Sequence, residues 1–328
     1  MFILRNLILI GHLILVLLIY ATSLNAVVPP RFLPELNLLA LAFPFMVVAH
    51  LLLCLFWLFK WRKRGLLFLL SSVLMITPIR RWVNYSPQQK VASSAYKILS
   101  FNIKNGAQGT LNIKNFIDDQ DPDVVILQES VAYREKQERL PYRDKIDLLT
   151  FYSKTPILRS GRILEHEDNG YAAYIDTQIN HQTVRIINIY LKPFELNKAM
   201  VKPSKNLDIT EEKAKGLLKR FIPVFKAHQN QVEQIRKAVE TSPYPVILGG
   251  DFNAVPNSYE YYHLTAAPLQ DSFLAQGNGL GTSFHDYKIP IRIDYLLFSP
   301  KFEIQHFDTD RSRQISDHYP IIATFQLK

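Results

Sequence analysis

The chain has 328 residues and a formal net charge of +9, and this charge is unevenly distributed. Residues 1–89 contain eight Lys or Arg and one acid, whereas residues 90–328 contain 30 Lys or Arg against 28 Asp or Glu. The basic excess therefore belongs to the first quarter and is weak evidence for nucleic-acid binding by the rest. The single cysteine, Cys54, lies in an apolar run, so the remainder tolerates an oxidising compartment without proving one.

Two uncharged runs, residues 7–24 and 36–59, are long enough to cross about 30 Å of hydrocarbon as helices. A shorter run at 66–79 completes a predicted bundle of about three transmembrane helices, within a membrane domain over residues 1–83. Two alternatives remain at this stage. The first run could be a cleaved signal peptide, and a single apolar run could be a buried core helix.

Positive charges near span ends predict the orientation. Four of them cluster at Lys60–Arg64, which is expected on the cytoplasmic side, although Arg80 and Arg81 favour the reverse. Three spans would then place everything after residue 79 outside. We expect a multi-pass protein of the cell inner membrane, with its large domain on the outer, periplasmic side.

A polar linker is predicted over residues 84–95, followed by one α/β domain over residues 96–328. Helical patterns cover residues 111–120 and 211–241, and Pro223 is expected to break the second. Many strands and few helices predict two packed sheets flanked by helices. The apolar runs of strand length are Tyr96–Ile103, Asp123–Glu129, Leu148–Ser153, Tyr171–Ile179, Val184–Leu191, Pro245–Gly250, Arg292–Ser299 and Pro320–Leu327.

Polar residues suited to metal or phosphate chemistry stand at the ends of these runs. Each alone has an ordinary explanation, such as a turn former or a cap, but their repeated position at strand ends predicts one site on a rigid scaffold. The residues are Asn102, Glu129, Asp251, Asn253, Asp294, Ser316, Asp317 and His318.

The series N, "LQE", "GDFN", "R-x-D-Y" and "SDH" resembles the endonuclease/exonuclease/phosphatase superfamily, which includes exonuclease III-like and deoxyribonuclease I-like nucleases and neutral sphingomyelinases. The resemblance covers about residues 96–327. It implies a four-layer α/β sandwich and metal-dependent hydrolysis of phosphoester bonds.

The resemblance also implies a role for each matching residue. Asp251 would orient or deprotonate the attacking water, and Asn253 would hold a phosphate oxygen. His318 would contact the phosphate and stabilise transition-state charge, oriented by Asp294 or another acid.

Three further residues would form the metal site. Glu129 would be the principal Mg²⁺ ligand, with Asn102 beside it and Asp317 as a further ligand; Mn²⁺ could substitute. Mg²⁺ prefers oxygen ligands and keeps several waters, so one carboxylate plus a substrate phosphate is a reasonable site.

Two positions depart from the family pattern. Tyr190 stands where many members have a histidine, and its phenol could donate to phosphate or could be packing alone. Asn188, two residues earlier on the same strand face, is expected to support it and to bind substrate. Lys104 stands where some nucleases carry another acid, which puts a second metal ligand in doubt.

Two polar loops are expected at the mouth of the site. One is residues 192–208, and the other is residues 281–294, with His285, Tyr287 and Arg292 as candidate substrate contacts. His285 could equally belong to the loop surface. Ser316 is expected to bind substrate as well.

The sequence thus predicts a membrane-anchored, Mg²⁺-dependent phosphoester hydrolase. Its substrate would be nucleic acid or a phospholipid-like molecule, and the lipid bilayer would hold the N-terminal helices. The alternative is a catalytically silent, membrane-tethered binding module with the same fold.

Overall fold

The computed structural model describes residues 2–87, 89–165, 169–196, 200, 207–286 and 291–328. Most of loop 192–208 and Tyr287 in the second loop lie outside these residues. The helices are α1 (Phe2–Ala21), α2 (Glu35–Lys60), α3 (Arg62–Ser71), α4 (Ile76–Arg80), α5 (Thr110–Gln120), α6 (Leu207–Glu240), α7 (Tyr259–Ala266) and α8 (Ser272–Gln276), with short 3-10 segments at 22–26, 72–75 and 104–106. The strands are β1 (Val83–Asn84), β2 (Tyr96–Asn102), β3 (Val124–Gln128), β4 (Tyr142–Ile146), β5 (Leu149–Ser153), β6 (Ile157–Arg162), β7 (Tyr171–Ile179), β8 (Gln182–Tyr190), β9 (Val246–Asp251), β10 (Gln270–Asp271), β11 (Gly279–Leu280), β12 (Asp294–Phe298), β13 (Phe302–Thr309) and β14 (Ile321–Leu327).

Two six-stranded mixed sheets form the large domain. The first has the order β13-β14-β2-β3-β5-β4, and the second has the order β10-β12-β9-β8-β7-β6. Each contains one parallel pair, β2–β3 or β8–β9, among antiparallel neighbours. The sheets pack face to face through apolar side chains such as Ile126 and Phe151 from one and Ile186 and Ile247 from the other.

Helices cover the outer faces of both sheets. α5 packs on the first sheet through Ile113, Phe116 and Ile117, and α6 packs on the second through Val232 and Ile235. A strand covered on both faces reads as a continuous apolar run, which is why β3 and β9 were visible in the sequence. The predicted fold of two mixed sheets flanked by helices is confirmed.

All eight predicted runs contain strands, and the missed strands lie mainly at sheet edges. β4 and β6 are edge strands with few apolar residues, so they carry no hydrophobic signal. The predicted break at Pro223 is wrong, because α6 continues through it. The buried side chains of Phe221, Val224 and Phe225 pack on either side of Pro223 and hold the helix where one backbone hydrogen bond is lost.

The N-terminal helices cross one another in three antiparallel passes. α1 and α2 are the two helices in the described residues that are long and apolar enough to span a membrane; the first is assigned as Ile3–Ala26. The third pass, over residues 62–80, is broken into α3, a 3-10 segment and α4. The Tyr20 hydroxyl donates to the carbonyl of Ser71, and Met75 packs near Phe43, so this pass returns along α2.

The bundle and the sandwich are joined by buried polar contacts. Asn25, at the end of the first pass, donates from Nδ2 to the carbonyl of Asn257 at 3.0 Å. The Nδ2 atom of Asn37, near the start of α2, donates to both carboxylate oxygens of Glu260 at 3.1 and 3.0 Å. The sandwich therefore lies at the end of the bundle opposite to the basic connection Lys60–Arg64.

The segment predicted as a linker is held on the sandwich at several points. β1 pairs with β11, and the buried Asn84 donates to the carbonyls of Phe273 and Gly277 at 2.8 and 3.2 Å. Farther along, the Ala92 amide donates to Gln305. These contacts fix the chain between bundle and sandwich.

Candidate active site

Three neighbouring strands place acidic and phenolic side chains in one row. Tyr190 on β8 is the register partner of Asp251 on β9, and Asp251 is the cross-strand partner of Asp294 on β12. The glycine before Asp251 makes the close strand approach possible. Gly250 has φ +133°, and a Cβ there would lie 2.0 Å from the carbonyl oxygen of Ile189.

His318 joins the two aspartates of this row. Its Nδ1 atom lies 2.9 Å from Oδ2 of Asp294, and its Nε2 atom lies 3.7 Å from Oδ2 of Asp251. Burial alone would lower the pKa of His318, but the two carboxylates outweigh burial and raise the pKa to about 10. His318 is therefore an imidazolium at neutral pH, held between two buried acids.

Asp251 is a buried carboxylate with directed hydrogen bonds. Its Oδ1 atom accepts from the Asn253 amide at 2.8 Å, and its Oδ2 atom accepts from Nδ2 of Asn102 at 3.0 Å. Burial is the largest effect on the pKa of Asp251 and raises it. The charge of His318 lowers this pKa and that of Asp294 raises it, so that the pKa of Asp251 is about 7. A carboxylate with this pKa can accept a proton near neutral pH.

Asn102 connects the two sheets at the site. Its Nδ2 atom also donates to Oε1 of Glu129 at 3.0 Å, while its side-chain Oδ1 atom accepts from the Lys104 backbone amide at 3.1 Å. Asn102 thus donates to two carboxylates, and its place beside Glu129 at a metal stays a prediction.

Glu129 directly follows β3 with φ +46°, in the left-handed region that disfavours a residue with a Cβ. Asn253 after β9 shares this conformation, with φ +45°, and its Nδ2 atom donates to the carbonyl of Leu191 at 2.9 Å. Non-glycine residues held in this region cluster at functional sites. Glu129 contacts Asn102, and Asn102 and the Asn253 amide both contact Asp251, so the two turns belong to one group of side chains.

Tyr190 is nearly buried beside Glu129, with 7% of its surface exposed. Burial raises the pKa of its phenol most, and the neighbouring Glu129 and Asp251 carboxylates raise it further. The phenol therefore stays protonated and is a hydrogen-bond donor within the site.

Asp317 is paired with a lysine that lies at the edge of the site. The Nζ atom of Lys104 lies 2.5 Å from Oδ2 of Asp317. Burial alone would raise the pKa of Asp317, but the charge of His318 and the Lys104 hydrogen bond lower it below its ordinary value. The Ser316 hydroxyl donates to the carbonyl of Asn102 at 2.8 Å and is buried, so it fixes the loop instead of facing substrate.

Two other predicted substrate contacts lie away from the cleft. Asn188 is fully buried between the sheets, where it donates to the carbonyl of Leu127 and accepts from Gln128. Arg292 is 1% exposed and forms two hydrogen bonds to Asp271, at 2.9 and 2.6 Å. A polar residue in a strand or loop does not reveal from sequence that its partners are internal, so both placements are corrections.

The loop before β12 contributes through residues that the sequence did not single out. The buried Ser283 hydroxyl accepts from the backbone amide of Asp294 at 3.0 Å and positions that carboxylate. The Phe284 ring lies 4.9 Å from the His318 ring, and the two residues form an isolated β-bridge. His285 is adjacent; its amide donates to the carbonyl of Asp317, and its ring packs on Tyr319. Small and apolar residues in a polar loop give no distinctive signal.

The donor set is consistent with one divalent cation. Asp251, Asp294 and His318 offer ligand atoms within 4.8 Å of one another, and the Nδ1 atom of His318 already lies 2.9 Å from Asp294. Asp317 is engaged by Lys104. Glu129, half-buried at the mouth of the site, is the carboxylate best suited to hold a hard cation such as Mg²⁺.

Comparison with known families identifies the large domain. The model of the Endonuclease/Exonuclease/phosphatase family matches residues 99–318, which includes the residues from Asn102 to His318 described above. The chain belongs to this family. A second family, described as a domain of unknown function, matches residues 5–82. No curated protein matches the chain.

Solved structures from several organisms share the family fold. TDP2 from D. rerio, complexed with a single-strand DNA product, is 17% identical with a TM-score of 0.51. A mannosyl-6-phosphatase from Bacteroides thetaiotaomicron is 18% identical, and the 3′ phosphatase NExo from Neisseria, bound to a product DNA hairpin, is 20% identical; both have TM-scores of 0.50. Each comparison covers 71% of this chain and 100% of the other. At these identities the likeness shows the fold alone.

Proposed function

We propose that the protein is a membrane-anchored phosphoester hydrolase of the phosphodiesterase, nuclease or phosphatase type. The observation that carries this proposal is the His318 imidazolium between Asp251 and Asp294 in a member of this family. A buried acid with a pKa near neutrality beside a fixed cation supplies a base and a charge stabiliser in one cleft.

In this proposal a water attacks phosphorus in line with the leaving oxygen. Asp251 orients this water and takes its proton, and Asn102 keeps the Asp251 carboxylate in position through its Nδ2 hydrogen bond. His318, held by Asp294, stabilises the negative charge that develops on the phosphoryl oxygens. The Tyr190 phenol, which stays protonated, is placed to donate to the same group.

Asn253 completes the phosphate site through its side-chain amide. Its bond to the Leu191 carbonyl fixes the orientation of that amide next to Asp251. When bound, Mg²⁺ or Mn²⁺ at Glu129 would polarise a phosphoryl oxygen and neutralise charge on the leaving oxygen.

The membrane anchor is proposed from the surface of the N-terminal bundle. Twenty-five of the 35 large hydrophobic side chains exposed in the described part of the chain lie between Ile3 and Ile76. A water-soluble domain rarely exposes so large an apolar surface, whereas lipid would cover it. α1 and α2 have the length and composition of spans, and the third pass would complete the bundle.

The orientation follows from the two ends of this bundle. The basic connection Lys60–Arg64 would remain in the cytoplasm, and the sandwich lies at the opposite end. The proposed location is therefore the cell inner membrane, with a domain division near residues 83 and 96 and the catalytic domain on the outer, periplasmic side.

The experiment that tests this function uses the purified full chain in detergent. It is assayed on aryl phosphomonoesters and phosphodiesters, DNA and RNA, with Mg²⁺ and with EDTA, beside Asp251→Ala. Metal-dependent turnover that the substitution abolishes is the expected result. Absence of turnover on every substrate class would favour the alternative of a catalytically silent binding module. The intact set of acidic residues and His318 argues against that alternative.

A further inference from the structure

A single side chain, that of Phe284, lies between His318 and the N-terminal helical bundle. An apolar cluster that joins bundle to sandwich contains Ile19, Phe43 and Met75 from the helices and the partly buried Phe284 from the sandwich. The same Phe284 ring packs against His318 at 4.9 Å. The wall of the active site is therefore continuous with the bundle.

Residues on both sides of the acidic row belong to the same cluster. Val255 follows Asp251 by four positions, Ile293 immediately precedes Asp294, and both are buried against the helices. The ends of β9 and of the loop before β12 thus contact the bundle at the points where they deliver the catalytic carboxylates.

Buried polar contacts also hold the sandwich against the end of the bundle. Asn37 accepts from the Tyr259 amide at 2.9 Å in addition to its bonds to Glu260, and both Asn37 and Glu260 are buried. Arg81 donates to Oδ1 of Asn257 at 2.8 Å, and its guanidinium stacks over Tyr262. A domain attached in this way cannot swing away from the membrane on a linker.

With the bundle in a bilayer, the connection between α1 and α2 would mark the level of the lipid surface. Asn25 in this connection touches the sandwich, and its apolar neighbours Val27 and Phe32 are 72% and 71% exposed. Exposed apolar side chains at the end of a spanning bundle are stable when they enter the interfacial layer. The active site, which contacts this bundle through Phe284, would then lie beside the lipid headgroup layer.

We propose that the substrate is a membrane lipid whose phosphoester headgroup enters this cleft while its hydrocarbon chains stay in the bilayer. This inference rests on the proposed phosphoester hydrolysis. The sandwich region from residue 90 onward has nearly balanced charge, 30 Lys or Arg against 28 Asp or Glu, which is poorly suited to gripping a long polyanion. A lipid needs no such grip, because the bilayer holds it at the site.

The test compares substrates that differ only in chain length. The full chain is reconstituted in phosphatidylcholine vesicles with hexadecyl p-nitrophenyl phosphate or hexadecyl phosphate in the same bilayer. The water-soluble counterparts are ethyl p-nitrophenyl phosphate and ethyl phosphate. Single-stranded DNA is the competing substrate, and Asp251→Asn is the control for contaminating activity.

We expect turnover of a hexadecyl ester to exceed that of its ethyl counterpart by about tenfold or more at equal bulk concentration. Equal turnover of the two, or preference for DNA, would overturn the lipid assignment and leave the hydrolase intact. No turnover of any of these substrates would overturn the proposed function itself.

The double variant Asn25→Ala, Asn37→Ala loosens the contact between sandwich and bundle. It should lower the turnover of the hexadecyl ester and leave that of the ethyl ester unchanged. An unchanged turnover of the hexadecyl ester would contradict the role of this contact.

Discussion

Asp251 and Asp294 are cross-strand partners on β9 and β12, and the imidazole of His318 lies between their carboxylates. Like charges directly opposed on neighbouring strands destabilise a sheet unless a cation separates them. The two carboxylates raise the pKa of His318, whereas burial is the main cause of the raised pKa of Asp251 and Asp294 adds to it. We therefore interpret the opposed carboxylates as an arrangement that serves catalysis and destabilises the sheet.

The pH dependence of activity should show two limbs. Asp251 must be deprotonated, so activity rises with pH through about 7, and His318 must be protonated, so activity falls as pH rises through about 10. Asp294→Asn removes a charge that raises the pKa of His318, so the alkaline limb should move down by about one to three pH units. The pH profile of kcat/KM measures this, with exposed Asp308→Asn as the matched control; coincident profiles for Asp294→Asn and wild type would contradict the assignment.

The same histidine links pH to stability. The pKa of His318 is raised above its ordinary value of 6.5 in the folded state, so its stabilisation is complete below pH 6.5 and is lost as pH rises through about 10. His318→Gln should therefore flatten the dependence of the unfolding temperature on pH across this window. Thermal unfolding of both proteins in the same detergent measures the difference, and parallel curves would contradict the prediction.

Glu129→Gln should weaken divalent-cation binding by at least about tenfold, because the amide keeps the shape of the side chain and removes the charge. Titration calorimetry with Mg²⁺ or Mn²⁺ measures this without relying on turnover. Exposed Glu138→Gln is the matched control and should bind as wild type does. An unaltered affinity in Glu129→Gln would place the cation elsewhere.

Asn37→Ala should destabilise the junction of bundle and sandwich. The buried carboxylate of Glu260 would lose two hydrogen bonds and the Tyr259 amide would lose one. Leaving buried polar groups unpaired costs about 1–3 kcal/mol. Thermal unfolding in detergent measures the loss, and exposed Asn112→Ala should change stability by less than about 0.5 kcal/mol. Equal effects of the two substitutions would indicate that the junction contributes nothing.

The orientation in the membrane can be tested with single cysteines in a Cys54→Ser background. Lys301→Cys reports on the sandwich, and Lys63→Cys reports on the basic connection. In cells with a permeable outer membrane, an impermeant maleimide should label position 301, and it should label position 63 only after lysis. Labelling of position 63 alone would reverse the proposed orientation.

The sequence predicted the strands that are buried on both faces and the acidic residues at their ends, because apolar runs and abrupt polar endings are local signals. It could not predict the internal partners of polar residues. Arg292 has the sequence context of a substrate contact, but in the folded chain it is paired with Asp271, 21 positions earlier. The left-handed turn at Glu129 and the packing of Phe284 on His318 likewise depend on the folded chain.

The departures from the family pattern were visible in the sequence, but their consequences were not. Lys104 was expected only to put a second metal ligand in doubt, whereas the folded chain pairs it with Asp317. Tyr190 stood in place of a histidine, and only the register of β8 with β9 puts its phenol beside Asp251.

The most direct test of the catalytic role of the acidic row is the kcat/KM of Asp251→Asn, measured with Mg²⁺ on bis(p-nitrophenyl) phosphate and p-nitrophenyl phosphate beside wild type. Loss of the base should lower kcat/KM by about 100-fold or more on whichever ester the wild type cleaves. A variant that folds as wild type does and retains near-normal kcat/KM would contradict the assignment of Asp251 as the base.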